Sequence, residues 1–156
     1  MTTWIFQGNP KESQINEYLR IRNKQLITWE IKQKHFKDEI SIGDEVFIWR
    51  ANGDEPESGG IVAKGEILSK PQEIKNDAPE LCREGKIKSL ELRVLINLLE
   101  EVRLSEKEGM LKRVDLEKDS KVNNMEILKF PTKTNFKLEE KNAQYLNQLW
   151  DQKRNN

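Results

Sequence analysis

The chain has 156 residues, enough to close one core and too few for two ordinary domains, so a single site is expected. Acidic and basic residues balance at 27 each, which excludes a long-range field drawing the whole molecule to a nucleic-acid backbone or an anionic membrane; any anion must be held by a local cluster. With Cys82 the only cysteine and His35 the only histidine, an internal disulfide framework is excluded and no metal or cofactor is expected.

At the front, Met1 to Pro10 has neither the basic region nor the apolar run of a signal peptide, so a cytoplasmic protein is expected. "TWIFQGNP" (Thr3 to Pro10) predicts a short strand with Trp4 and Phe6 on one face and Ile5 and Gln7 on the other, stopped by Gly8 and Pro10. The spacing of Ile15, Tyr18, Leu19 and Arg22 predicts a helix, with Ser13 placed to cap it. "LITWEI" (Leu26 to Ile31) predicts a second strand whose Ile27, Trp29 and Ile31 share a face, and a polar connection follows as far as Gly43 and Asp44.

Glu45 to Ala51 sets Phe47, Trp49 and Ala51 against Val46, Ile48 and Arg50; apolar on both faces until Arg50, it is expected to be central. Its partner, Ile61 to Leu68, puts Ile61, Ala63, Gly65 and Ile67 on one side, where small residues permit close approach of a backbone or a ligand. Pro71 to Lys86 reads as a polar surface excursion and a candidate lid. Leu90, Leu92, Val94, Ile96 and Leu98 alternate strictly and predict another strand, whose apolar stretch is interrupted by Arg93 and Asn97 and far too short to span a bilayer. The charged stretch Ser105 to Lys121 is read as a short helix or a linker. Leu138 to Asp151 closes the chain as a helix with Leu138, Ala143, Leu146, Leu149 and Trp150 near one face. The domain is thus expected to occupy residues 1–151, followed by a polar tail at 152–156.

Few groups are arranged for chemistry. His35 lies in a lysine-rich connection and Cys82 in a proline-flanked loop, with no spacing that makes a nucleophile and base dyad. Glu100-Glu101 and Glu139-Glu140 sit at element ends and read as solvated acids rather than catalytic pairs. "SGGIVAKG" leads into a strand, whereas phosphate loops and dinucleotide fingerprints need their glycines to open a helix. No catalytic residue is assigned and no enzyme is expected.

Binding residues are easier to nominate. Trp4 and Trp150 read as packing residues. Trp29 and Trp49 each precede a polar residue where a strand can open into a pocket, and spacing alone leaves both packing and base stacking open for them. Gln7 and Asn9 flank Gly8 at the end of the first strand, where a primary amide can donate and accept at once; Asn9 can equally serve to shape the turn before Pro10. Lysines gather at Lys32 and Lys34 and again at Lys129 and Lys133, either as solubilising faces or as phosphate contacts.

The order of "WIFQGNP", "ITWEI", "IGDEVFIWRANG", "GGIVAKGEIL" followed by Pro71, and "FPTKTNFKLEE" before the last helix resembles the EVE domain family, of the PUA-like superfamily related to the YTH readers of methylated adenine. The resemblance covers nearly the whole chain. It implies an α+β fold, a PUA-like twisted β-barrel surrounded by helices, and a non-enzymatic function: holding a modified, in the first instance methylated, base of DNA or RNA in an aromatic-lined pocket. On that reading Trp29 is a cage aromatic and Asn9 a polar reader of the base edge, with Gln7 and Gly8 beside it in the pocket. Trp49, Arg50, Ala51 and Gly60 form floor and wall, Thr134 and Asn135 the opposite lip, and Lys32, Lys34, Lys129 and Lys133 position the backbone.

This chain has "WEIKQK" where the common EVE version has a "WDGVRN"-like run, closer to the EVE-like modules at the front of modification-dependent restriction systems, which implies a nuclease or restriction partner. The 71–86 stretch contains no aromatic and so supplies no second cage wall. A monomer is expected, and the alternative function is a PUA-like RNA-binding module that recognises shape without regard to modification.

Overall fold

The computed structural model describes residues 1–23, 25–82 and 90–154. Among these, the strands are β1 (Thr3–Gly8), β2 (Leu26–Glu30), β3 (Glu45–Arg50), β4 (Gly60–Ile67), β5 (Gln72–Ile74), β6 (Glu91–Leu98), β7 (Leu111–Lys112) and β8 (Asn135–Lys137). The α-helices are α1 (Ile15–Ile21), α2 (Arg113–Lys118), α3 (Glu126–Lys129) and α4 (Glu140–Arg154). The strands form one mixed sheet in the order β2-β6-β4-β3-β1-β8, with β5 on β6 and β7 on β4, curled into a half-barrel. β1 and β3 run parallel because α1 and β2 carry the chain back between them; the other pairings are antiparallel.

β3 is central, as its two apolar faces require, and the sheet therefore divides two cores. Trp4, Phe6, Val46 and Ile48 point into one, with Trp29, Ile27 and Leu19; Ile5, Phe47 and Trp49 point into the other, with Leu146 and Trp150 of α4. The simple alternation expected of β4 fails at one place. Ile48 pairs with Ala63 and Trp49 with Ile61, so Val62 is the extra residue of a β-bulge. Ile61 then faces the second core while Val62 and Ala63 both face the first.

Other local expectations are corrected. Ser13 does not cap α1: the cap position is Gln14, with no side-chain hydrogen bond, and Ser13 instead bridges to Cys82. The 71–86 excursion contains β5 and a 3-10 turn at Pro79–Leu81, and its residues from 83 onward lie outside those described. The stretch read as a helix or linker holds β7 and then α2. Residues 152–154 continue α4, and 155–156 of the expected tail lie outside the described residues. Leu90 is exposed, and the buried face of β6 begins at Val94. No described helix is long and apolar enough to cross a membrane.

Asp44 fastens the front of β1 to β3. Buried at the turn before β3, it accepts the Trp4 indole N–H (2.9 Å) and the Ser41 amide (2.9 Å) on Oδ2 and the Thr2 amide (3.2 Å) on Oδ1. Asp44→Ala leaves the indole donor unpaired in the core, and a loss of about 1–3 kcal/mol is expected. The check is a lower urea midpoint with an unchanged denaturant slope.

Candidate functional site

β2 ends the sheet, so the edge it does not share with β6 needs other partners. Tyr18, on the inward face of α1, supplies one: its hydroxyl accepts the Thr28 amide (2.9 Å) and donates to Asp77 (2.9 Å). Burial first and the Asp77 carboxylate second push the phenol's pKa up from its ordinary value, so it acts as a neutral donor. The Thr28 hydroxyl also donates to Asp77 (2.9 Å) and accepts Arg93 Nε (2.8 Å), and Arg93 Nη2 donates to the Thr28 carbonyl (3.0 Å). Glu91 Oε2 closes the chain of contacts on Arg93 Nη1 at 2.6 Å. This buried polar network holds β2, β6, α1 and the segment at 76–78 as one unit.

Beside it opens a cavity of about 390 Å³, within the roughly 300–1,000 Å³ typical of small-ligand pockets. Its wall combines Gln7, Gly8 and Asn9 from the end of β1, Tyr18 from α1, Thr28 and Trp29 from β2, and Glu91 and Arg93 from β6. Asn76, Ala78 and Cys82 line it from the 76–82 segment, and Glu12, Lys32 and Thr134 from its outer side. Trp29 is 8% exposed: its ring belongs to the first core but borders the cavity, 6.4 Å from the Tyr18 ring between centroids. Its indole N–H donates to the Gln7 carbonyl (3.3 Å). Gly8 makes this closeness possible, since a Cβ there would stand 3.0 Å from Trp29 Cζ2 and 2.5 Å from Ile15 Cδ1.

A second concavity of about 230 Å³ shares Gln7, Asn9, Glu12, Lys32 and Thr134 with the first and adds Ala51, Pro131, Thr132 and Lys133. Lys32 approaches Glu12 at 3.8 Å and Lys133 pairs with Glu126 at 2.7 Å, both near the surface. Asn9 accepts the Lys11 amide on its side-chain oxygen (2.9 Å), so it shapes the turn while also lining both hollows.

The nominated residues thus separate. Gln7, Gly8, Asn9, Trp29, Thr134 and Lys32 meet at the main cavity, with Ala51 and Lys133 at the adjoining one. Trp49 does not: it is wholly buried in the second core, because β3 is packed on both faces. Arg50 is also buried, donating to the Ser58 carbonyl (2.7 and 3.1 Å) and to Asn16 (2.9 Å), so it fixes the 52–58 turn and lines neither hollow. Gly60 sits against the Leu111 carbonyl of β7. Asn135, 1% exposed, stands behind the lip: it accepts the Lys32 and Gln33 amides (2.8 and 3.2 Å) and donates to the Glu30 carbonyl (3.1 Å), tying the end of β2 to β8. Lys34 and Lys129 are exposed away from both hollows.

Sequence reasoning missed Tyr18, Thr28, Asp77, Glu91 and Arg93 as wall or support. The signal available was Glu91 and Arg93 sharing one face of an otherwise apolar strand, a pattern that asks where two buried charges find partners. Among the described residues no group of three His, Cys, Asp or Glu is placed to hold a metal ion.

A half-barrel sheet wrapped by helices, with a side cavity at the end of its first strand, defines an α+β domain built on one curled mixed sheet. The EVE domain family model matches residues 2–149, and the chain belongs to that family. A structure from Leishmania major superposes with a TM-score of 0.68 at 12% identity, covering 99% of this chain and 97% of that one. Human THYN1, in complex with 5-methylcytosine containing DNA, gives 0.63 at 15% identity over 97% and 98%. The DUF55 domain of human thymocyte nuclear protein 1 gives 0.62 at 14% over 96% and 98%. At such identities the likeness is one of fold. No curated protein matches the chain by sequence.

Proposed function

We propose that this domain is a non-enzymatic nucleic-acid reader that holds one modified base, in the first instance a methylated one, in the cavity beside Trp29. The observation that carries the reading is an indole bordering a cavity of about 390 Å³, large enough to admit a planar heterocycle, at the ends of β1 and β2. Membership of the EVE domain family supports it, as does the THYN1 complex with 5-methylcytosine containing DNA.

Extruding a base from a duplex costs a few kcal/mol, and stacking on an aromatic face returns about 1–3 kcal/mol, so the two nearly cancel. Contacts to the backbone must supply the rest. On this reading Lys32 and Lys133, which line the second concavity, exchange their surface pairing with Glu12 and Glu126 for the phosphates next to the inserted nucleotide. A nuclease or restriction protein is the class of partner such a reader would direct.

The experiment is a titration of the protein with oligonucleotides of one sequence, DNA and RNA, with and without a single modified base, at two salt concentrations. Tighter binding of a modified strand is the expected result. Equal affinity for modified and unmodified strands with a steep salt dependence would instead assign a shape-reading RNA module.

A further inference from the structure

We propose that Phe130 is a stacking platform for the base next to the inserted one, so that the domain grips its strand by two aromatic rings, Trp29 in the cavity and Phe130 outside it. The inference rests on the reading of the cavity as a base pocket.

Among the described Phe, Tyr and Trp side chains Phe130 is the only exposed one, at 54%. A lone apolar residue at the surface is ordinary, so its meaning comes from where it stands and how it is held. It precedes Pro131, and residues 131–134 line the second concavity. Lys133, in that wall, brings its ammonium to 5.4 Å from the centre of the Phe130 ring. Ring and charge therefore stand together beside a hollow that adjoins the base cavity.

The support is ordered on both sides of the ring. Before it, Ile127 of α3 is buried in the second core, and the Phe130 amide donates to the Glu126 carbonyl (2.8 Å). After it, Gln7 holds the chain three times. Its amide donates to the Thr134 carbonyl (2.7 Å), and its side-chain Nε2 donates to the carbonyls of Pro131 (2.9 Å) and Lys133 (2.6 Å). Gln7 belongs to the wall of both hollows, so the backbone that carries the ring is fastened to the pocket itself. A ring carried in this way has little backbone freedom left to lose on binding.

A flat apolar face beside an ammonium fits the repeating unit of a nucleic acid, a base with its phosphate. Every base has a π face, so such a platform is indifferent to sequence and to modification. Selectivity then belongs to the cavity, and Phe130 adds affinity for the strand on either side of the mark.

The test uses two single-stranded DNA pentanucleotides with a central 5-methylcytosine. One has ordinary flanking bases; the other has abasic flanking sites, which keep the phosphates and remove what Phe130 would stack. Wild-type protein is expected to bind the abasic strand about fivefold more weakly, the low end of the range for base stacking because the ring lies at the surface. Phe130→Ala is expected to bind the ordinary strand about fivefold more weakly and to be insensitive to abasic flanks, whereas Phe130→Tyr keeps the wild-type pattern. Phe130→Leu, which keeps apolar bulk without a π face, is expected to behave as the alanine variant does. Undiminished binding by Phe130→Ala, or an equal loss on both strands, overturns the platform. Failure of the wild type to prefer the 5-methylcytosine strand to its unmodified counterpart overturns the pocket reading instead, and the abasic comparison still decides Phe130. Absence of binding to every strand overturns both.

Discussion

Trp29→Ala is expected to weaken binding to a modified-base oligonucleotide by about 5- to 140-fold, the equivalent of roughly 1–3 kcal/mol of stacking. The ring also packs in the first core, so the same change removes apolar contacts, and large-to-small core changes of this kind cost about 3–5 kcal/mol. The two effects are separable with Trp29→Phe, which keeps an aromatic face and most of the packing. The expected order of affinity is wild type, then phenylalanine, then alanine, read by fluorescence anisotropy at fixed salt on variants that still melt cooperatively. Undiminished affinity in a folded alanine variant would remove Trp29 from the site.

Gly60→Ala is expected to be the most damaging of the glycine substitutions for stability. Gly60 has φ +149, a conformation that side-chain-bearing residues rarely adopt, and an added Cβ would collide with the Leu111 carbonyl and lie 3.0 Å from the Arg113 amide. Neither neighbour can step aside, since β7 pairs with β4 there and the Arg113 amide donates to the Gly59 carbonyl at 2.9 Å. Overpacking and backbone strain each cost about 1–3 kcal/mol, and in a domain of this size each kcal/mol lowers the melting temperature by roughly 2–4 °C. Gly43 provides the comparison: it has φ +93 but nothing within 4 Å of the added carbon, so Gly43→Ala carries the conformational penalty alone. Melting temperatures for the two variants that coincide would show that β7 yields.

Alternation made β2 and β6 readable, because a strand with one buried face must repeat every two residues, and short continuous apolar runs made β1, β3 and β4 readable as strands buried on both faces. β5, β7 and β8 are two or three residues long and exist through the edges they join, so no window of sequence contains them. The Val62 bulge was hidden for the same reason, being a property of a pair of strands.

For the site, Trp29 and Trp49 gave one signal and met opposite fates. Each is a tryptophan ahead of a polar residue near a strand end; β2 lies at the rim of the sheet and β3 in its middle, and strand order is fixed by long-range pairing. The Gly59-Gly60 pair opposite Trp49 and Arg50 reads in the sequence as space for a flat ligand. That space is filled by β7. The Tyr18, Asp77 and Arg93 network joins residues far apart in the chain, and only folding brings their donors and acceptors into register.

Three of the four indoles, Trp4, Trp49 and Trp150, are sealed at 0% exposure, and the fourth borders the cavity. The protein therefore carries its own optical probe. Excited at the long-wavelength edge, where Tyr18 in the same wall does not absorb, quenching or a spectral shift on adding a small guest reports on position 29 against the background of the other three, and occupancy can be followed without a label on either partner.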